Sequence, residues 1–174
     1  MSHTDKFEGG YVPVYETIAD QIGPKGRVCE LGVYKGDSLR LWQELFPEGE
    51  VTGVDCNHGC TWPDGTRKVV MDQADPELAG VLGGPFDLIV DDASHVGALT
   101  MASFMNLWPL VAPEGHYVIE DWMIGLAVFE GHPMHDPEMF RVVSSLLGML
   151  SSQDADVEQV TYRYGLAIIS KAPE

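Results

Sequence analysis

The chain has 174 residues and 45% apolar content, which suits one domain, residues 1–174, built on a single core. Its formal net charge of −17, with only 10 basic residues and no basic stripe among them, speaks against a nucleic-acid partner, because nothing replaces phosphate counterions. No apolar run reaches the roughly 18–20 residues of a membrane span, and the opening MSHTDKFEGG lacks the basic-then-apolar pattern of a signal peptide.

A cytoplasmic location is therefore expected. Cys29, Cys56 and Cys60 are too few, and odd in number, for a secreted disulfide scaffold. CNHGC sets Cys56, His58 and Cys60 close together, but no second ligand pair accompanies them, and free thiols are the better reading.

In chain order, VPVYETIADQI has helical spacing and is closed by Gly23-Pro24. RVCELG reads as a strand, and DSLRLWQELF as a helix ended by Pro47. EVTGVDC and TRKVVMD are the next strands, separated by the loop NHGCTWPDG. In ADPELAGVLGG, Asp75 is expected to cap a helix with Pro76 in its first turn. FDLIVDD is the fourth strand, VGALTMASFMNLWPLVAP a helix bent or ended near Pro109, and GHYVIED the fifth strand.

Most of these strands are apolar without polar alternation, as expected when both faces are buried, and they alternate with helices. DPEMFRVVSSLLGML adds a helix with an Asp-Pro start. VEQVTYRYGLAIIS turns at Tyr164-Gly165, and so short a connection joins only antiparallel strands. The fold class expected is α/β, doubly wound, with a mostly parallel sheet and a C-terminal antiparallel hairpin.

CELGVYKGDS follows the first strand. Gly32 would make its tight turn and Gly36 would let backbone approach a ligand, ahead of a helix N-terminus with free N–H groups. The spacing differs from the G-x-G-x-x-G of dinucleotide enzymes. Asp55 ends the second strand, where an acid accepts from ribose hydroxyls. Glu30 would repel a pyrophosphate and welcome a cation. Adenosine joined to a cationic amino-acid tail describes S-adenosylmethionine.

The fourth strand ends in Asp91 and Asp92, the fifth in Glu120 and Asp121. Adjacent strands lie about 4.8 Å apart, so these acids converge at the ligand-binding end of the sheet and either raise one another's pKa or hold a cation. Oxygen ligands suit Mg²⁺ first, with Mn²⁺ or Ca²⁺ as alternatives. Any one of these acids alone is better read as a helix cap, but capping does not explain two pairs at equivalent strand ends. His95, beside the pair, is the candidate base: a metal-bound hydroxyl becomes acidic enough for neutral imidazole to deprotonate.

Together CELGVYKGDS, Asp55, MDQADP and DDASH…VIEDW resemble class I S-adenosylmethionine-dependent methyltransferases, especially the metal-dependent macrolide-sugar O-methyltransferases and the cephalosporin hydroxylase family. The likeness runs from Arg27 to Trp122, and the hairpin fits the family's seven-stranded sheet. The resemblance implies that Glu30, Gly32, Gly36, Asp37 and Ser38 line the methionine side of the donor. It sets Asp55 on the ribose, Asp72 and Gln73 against the adenine, and Asp91 facing the cofactor. Asp92, Glu120 and Asp121 take the metal-ligand positions.

The expected activity is divalent-metal-assisted O-methylation of a small, sugar-like or natural-product hydroxyl, with a hydroxylase-like or non-catalytic donor-binding role as the alternative. Residues 123–140, with His132, Met134 and His135, would form a substrate lid or a packed helix. The short 1–26 segment favours a small acceptor, or a site completed in a homo-oligomer.

Overall fold

Strands β1 (Arg27–Leu31), β2 (Glu50–Val54), β3 (Arg67–Val69), β4 (Phe86–Asp91), β5 (Val111–Glu120), β6 (Val157–Tyr162) and β7 (Leu166–Lys171) form one sheet in the order β3-β2-β1-β4-β5-β7-β6. These come from a computed structural model that describes residues 4–150 and 156–174. The first five strands are mutually parallel; β7 runs antiparallel between β5 and β6. Because Tyr162 and Leu166 are joined by so short a turn, β6 and β7 pair as the expected hairpin. The strand order reverses between β1 and β4, and ligands of open α/β sheets bind at the carboxyl ends of such strands.

Successive strand residues face opposite sides of the sheet, and the two faces carry separate apolar layers. Val28, Leu88, Val90 and Val118 pack with Tyr15, Leu39 and Trp42 from α2 (Val12–Ile22) and α3 (Asp37–Leu45). Cys29, Ile89, Tyr117 and Ile119 pack with Leu78, Phe104 and Leu146 from α4 (Leu78–Leu82), α5 (Gly97–Leu107) and α6 (Pro137–Met149). A short α1 (Asp5–Glu8) precedes α2. Among the described residues, no helix is long and apolar enough to cross a membrane.

Three expected boundaries moved. The helix at Asp75 starts later: Asp75 accepts from the Glu77 N–H in a turn, and α4 opens only at Leu78. Strand β5 begins at Val111, immediately after the 3-10 turn at Trp108–Leu110. Its pairing with β4 jumps from Phe86↔Val111 to Leu88↔His116, so an irregularity takes up the extra residues around Pro113, which has no N–H for a ladder. β3 is also shorter than TRKVVMD, ending at Val69. By contrast, the Asp-Pro start of α6 holds, with the Asp136 side chain accepting from the Glu138 N–H.

Trp42 is fully buried and meets the Tyr15 ring edge-on at 4.7 Å, which ties α3 to α2 over the middle of the sheet. Trp42→Ala is expected to destabilise the fold by about 3–5 kcal/mol, the usual cost of emptying so large a buried site. A urea titration reads this as a lowered midpoint.

Candidate active site

A cleft of about 730 Å³ opens over the carboxyl ends of β1 and β4, lined by Gly32, Tyr34, Asp37, Ser38, Asp92, His95 and Asp121 among others. A narrower lobe of about 210 Å³ is lined by Val54, Cys56, Met71, Asp72, Gln73, Ser94 and Leu99. Gly32 and Asp55 border both. The two lobes meeting at an acid suit an elongated ligand whose middle carries hydroxyl groups, with a flat apolar end in the narrow slot.

Gly32 has φ +93°, and a Cβ there would lie 2.1 Å from the Asp92 carbonyl oxygen. The turn after β1 therefore touches the end of β4, and only glycine permits it. Gly36 plays a different part from the one expected. Its Cβ would meet the Thr61 carbonyl at 2.3 Å, so its missing side chain serves the 61–63 loop, which packs over the turn. Asp55 braces the same turn, accepting from the Val33 and Tyr34 N–H groups through Oδ2 and from Asn57 through Oδ1. Partial burial pushes its pKa up, but these backbone donors outweigh it and hold the carboxyl below its ordinary value.

Strand alternation separates the paired acids. Asp91 shares the face of Ile89 and is turned into the core beneath α5, where Ser103 Oγ and Tyr117 Oη donate to its Oδ2 at 2.6 and 3.2 Å. The expectation that Asp91 faces the cofactor therefore needs correcting. It reaches the narrow lobe only through Gln73, whose amide nitrogen lies 3.3 Å from Asp91 Oδ1 while its Oε1 accepts from the Ser94 N–H. Gln73 thus spans the loops after β3 and β4, and Asp72 accepts from Ala74 in a local turn at the lobe's edge.

Glu30 is likewise behind the wall rather than part of it. It is fully buried and accepts from Ser38 Oγ at 2.6 Å, so Ser38 reaches the cleft with its hydroxyl already committed. Burial raises the Glu30 pKa, against the opposing pull of Lys6.

The residues that converge in the cleft are Asp92, His95 and Asp121, each offering an atom within 4.8 Å of the others. His95 Nε2 stands 3.8 Å from Asp92 Oδ1 and 4.0 Å from Asp121 Oδ2. His95 and Asp121 both adopt left-handed backbone, at φ +52° and +54°, a conformation side chains seldom take without compensating contacts. Glu120 does not join them. It shares the face of Val118, is almost fully buried, and its Oε1 accepts from Tyr15 Oη at 2.5 Å and from Lys6 Nζ at 2.8 Å.

Lys6, Tyr11 and Tyr15 are the residues that sequence reading missed. They come from the first turns of the chain and close over the acids: Lys6 Nζ donates to Asp92 Oδ2 at 2.7 Å, and Tyr11 Oη to Asp121 Oδ1 at 2.6 Å. The only available signal was a lysine in an otherwise acidic opening, and no local spacing links it to strands so far along the chain.

Two carboxylate oxygens flanked by imidazole fit a divalent ion. Mg²⁺ commonly takes one or two carboxylates and completes its shell with water or substrate oxygens. Ligand atoms around one such ion lie roughly 3–4 Å apart, as its ~2.1 Å bonds require, so the observed spacing needs only a small closure.

Met134 also lines the cleft, while the 123–140 segment is pinned at both ends. Ile124 and Met139 are buried, Gly125 packs against the Phe140 backbone, and Asp136 Oδ2 accepts from the Gly97 N–H.

Burial raises Asp91 to about 6 despite its two hydroxyl donors. Folded Asp91 therefore keeps its proton to higher pH than the unfolded chain, which releases it near 3.9, and this group's effect on stability becomes unfavourable as pH rises through that interval. Asp91→Asn removes the titration. Its stability relative to wild type is expected to rise by up to about 3 kcal/mol between about pH 4 and pH 6, then level off. Urea titrations across that range check this, and a constant difference would contradict it.

No family model matches the chain. It is 36% identical over 155 residues to mycinamicin VI 2''-O-methyltransferase of Micromonospora griseorubida, an alignment covering 82% of this chain and 38% of that protein. To demethylmacrocin O-methyltransferase of Streptomyces fradiae it is 35% identical over 144 residues, covering 74% and 36% respectively. The chain thus spans well under half the length of these relatives.

The structure of the MycE methyltransferase from the mycinamycin biosynthetic pathway, in complex with Mg, SAH and mycinamycin VI, superimposes with a TM-score of 0.78. The identity is 28%, over 94% of this chain and 50% of that one. A Podospora anserina methyltransferase bound to SAH shares the fold at a TM-score of 0.70, 15% identity, and coverage of 98% and 80%. The chain belongs by fold to the class I S-adenosylmethionine-dependent methyltransferases and is related in sequence to the macrolide-sugar O-methyltransferases.

Proposed function

We propose that this chain carries the catalytic site of an S-adenosylmethionine-dependent, divalent-metal-assisted O-methyltransferase acting on a hydroxyl of a small sugar-like or natural-product acceptor. The observation that carries the reading is the convergence of Asp92, His95 and Asp121 beside a two-lobed cleft that meets at Asp55. The relatives' names, which specify O-methylation of macrolide-linked and other natural-product substrates, support the acceptor class.

When bound, the donor supplies an electrophilic methyl group and the divalent ion acidifies a coordinated hydroxyl. Asp55 stands at the waist of the cleft to accept from the ribose hydroxyls. Asp72 and Gln73 border the slot for the adenine, and Gly32, Asp37 and Ser38 border the methionine half. Asp92 and Asp121 would hold the ion through the oxygens that face the cleft.

His95 takes the proton from the acceptor hydroxyl at Nε2. That nitrogen has a single lone pair, so it serves as base or as metal ligand, not both at once. The base assignment leaves coordination to the carboxylates. Met134 contributes to the acceptor-facing wall. No covalent enzyme intermediate is required, so orientation of the acceptor oxygen toward the methyl group carries much of the rate.

The purified chain is expected to bind S-adenosylhomocysteine in calorimetry, and to lose turnover but not that binding on chelation. His95→Gln is expected to lower kcat by a factor of about 10²–10⁴, the range for loss of a general base, while leaving Mn²⁺ affinity within about threefold. A tenfold or greater loss of Mn²⁺ affinity in that variant would make His95 a ligand. Asp92→Ala is expected to abolish both Mn²⁺ binding and turnover.

A further inference from the structure

The tip of the β6–β7 hairpin bears on the cleft through a close backbone approach. Gly165 has φ +77°, and a Cβ there would overlap the Tyr11 hydroxyl and the ring carbons beside it. No side chain at that position can coexist with the phenol where it stands. Tyr11 is 5% exposed, and its hydroxyl, seated against the glycine, donates to Asp121 Oδ1 at 2.6 Å.

The same hairpin holds the backbone on either side of Asp121. Glu120 pairs with Leu166 at the start of β7. Trp122 Nε1 donates to the Arg163 carbonyl at 3.3 Å, and its ring meets Tyr162 edge-on. Between these anchors Asp121 adopts φ +54°, a conformation that persists only where the surroundings impose it. Its Oδ1 is occupied by the phenol, and Oδ2 is the oxygen on the His95 side, 4.0 Å from Nε2.

Resting on the metal-assisted reading above, we propose that Tyr11, seated on the hairpin tip at Gly165, is a positioning residue for Asp121. The phenol fixes the rotation of the carboxylate so that Oδ2 is presented to the ion. Ligand carboxylates are commonly oriented by such outer-shell hydrogen bonds, and losing one lowers metal affinity. Gly165 is thus needed for the seat of the phenol as well as for the reversal of the chain.

The test is a titration of the full chain with Mn²⁺ alone. Free ion is read by electron paramagnetic resonance and bound water by solvent-proton relaxation, alongside thermal melts. Tyr11→Phe keeps the ring and removes only the hydroxyl. It is expected to weaken Mn²⁺ binding by about 10–100-fold, the range for loss of an outer-shell partner. The relaxation enhancement per bound ion should rise, because water replaces an Asp121 oxygen. A purely structural role would lower the melting temperature and leave that enhancement unchanged. Gly165→Ala is expected to reproduce both effects by displacing the phenol. Added to Tyr11→Phe, it should cost less than about a further threefold, since the bond it breaks is already gone.

Tyr11→Phe with Mn²⁺ affinity within about threefold of wild type, or with an unchanged relaxation enhancement, would overturn the proposal. So would a Gly165→Ala loss that persists at full size beside Tyr11→Phe. If Gly165→Ala does not fold, Tyr11→Phe alone decides. Wild-type binding that Tyr11→Phe leaves intact removes this inference and spares the metal reading, whereas absence of Mn²⁺ binding by the folded wild-type chain removes both.

Discussion

Two neighbouring residues on a β-strand cannot send their side chains to the same face of the sheet, and the site depends on that constraint. Asp91 closes the layer beneath α5, with Ser103 and Tyr117, while Asp92 emerges at the cleft. Glu120 lies under the opening helices, while Asp121, just past the strand and in left-handed backbone, turns to meet Asp92 and His95. Each acidic pair therefore supplies one buried structural carboxylate and one cleft carboxylate.

The buried members create an electrostatic problem that the opening segment answers. Glu30, Asp92 and Glu120 converge at the ends of β1, β4 and β5, and burial pushes the pKa values of Glu30 and Glu120 up. Lys6 enters from outside the sheet and ion-pairs with all three, and the desolvation cost of its ammonium is offset because every partner is anionic and close. Burial lowers the Lys6 pKa, but the coulombic pull of Glu120, Asp92 and Glu30 overrides it and keeps the ammonium charged. Tyr15 and Tyr11 complete the arrangement by donating to Glu120 and Asp121. A segment that resembles a solvated terminus in composition is thus the inner wall of the site.

The donor end rests on close backbone approach rather than on charge. Gly32 lets the turn after β1 touch the end of β4, and Asp55 fastens that turn through its backbone N–H groups. The turn and the acid therefore shape each other. Gly36, the second glycine of the motif, answers to the 61–63 loop instead. A glycine motif in one sequence shows where backbone crowds, not what crowds it.

Much of this was legible from local patterns. Apolar runs without alternation announced buried parallel strands, and the tight Tyr164-Gly165 turn announced an antiparallel pair. The positions of Gly32, Asp55 and the acidic strand ends placed the cleft, since these signals depend on neighbours within a few residues and on general rules of sheet topology. The boundaries of α4 and β5 were less legible, because an Asx turn and a pairing irregularity each move a start without changing composition.

What the linear order did not contain was the partition of the acids between cleft and core, and the identity of the cation that balances them. Lys6 is 86 residues from Asp92 and 114 from Glu120, so only the packed fold brings its ammonium to their oxygens. Charge pairing acts over a few ångströms in space whatever the distance along the chain. For that reason the residues of the site could be named from sequence, while the role of each was decided by which face it took and which neighbour reached it first.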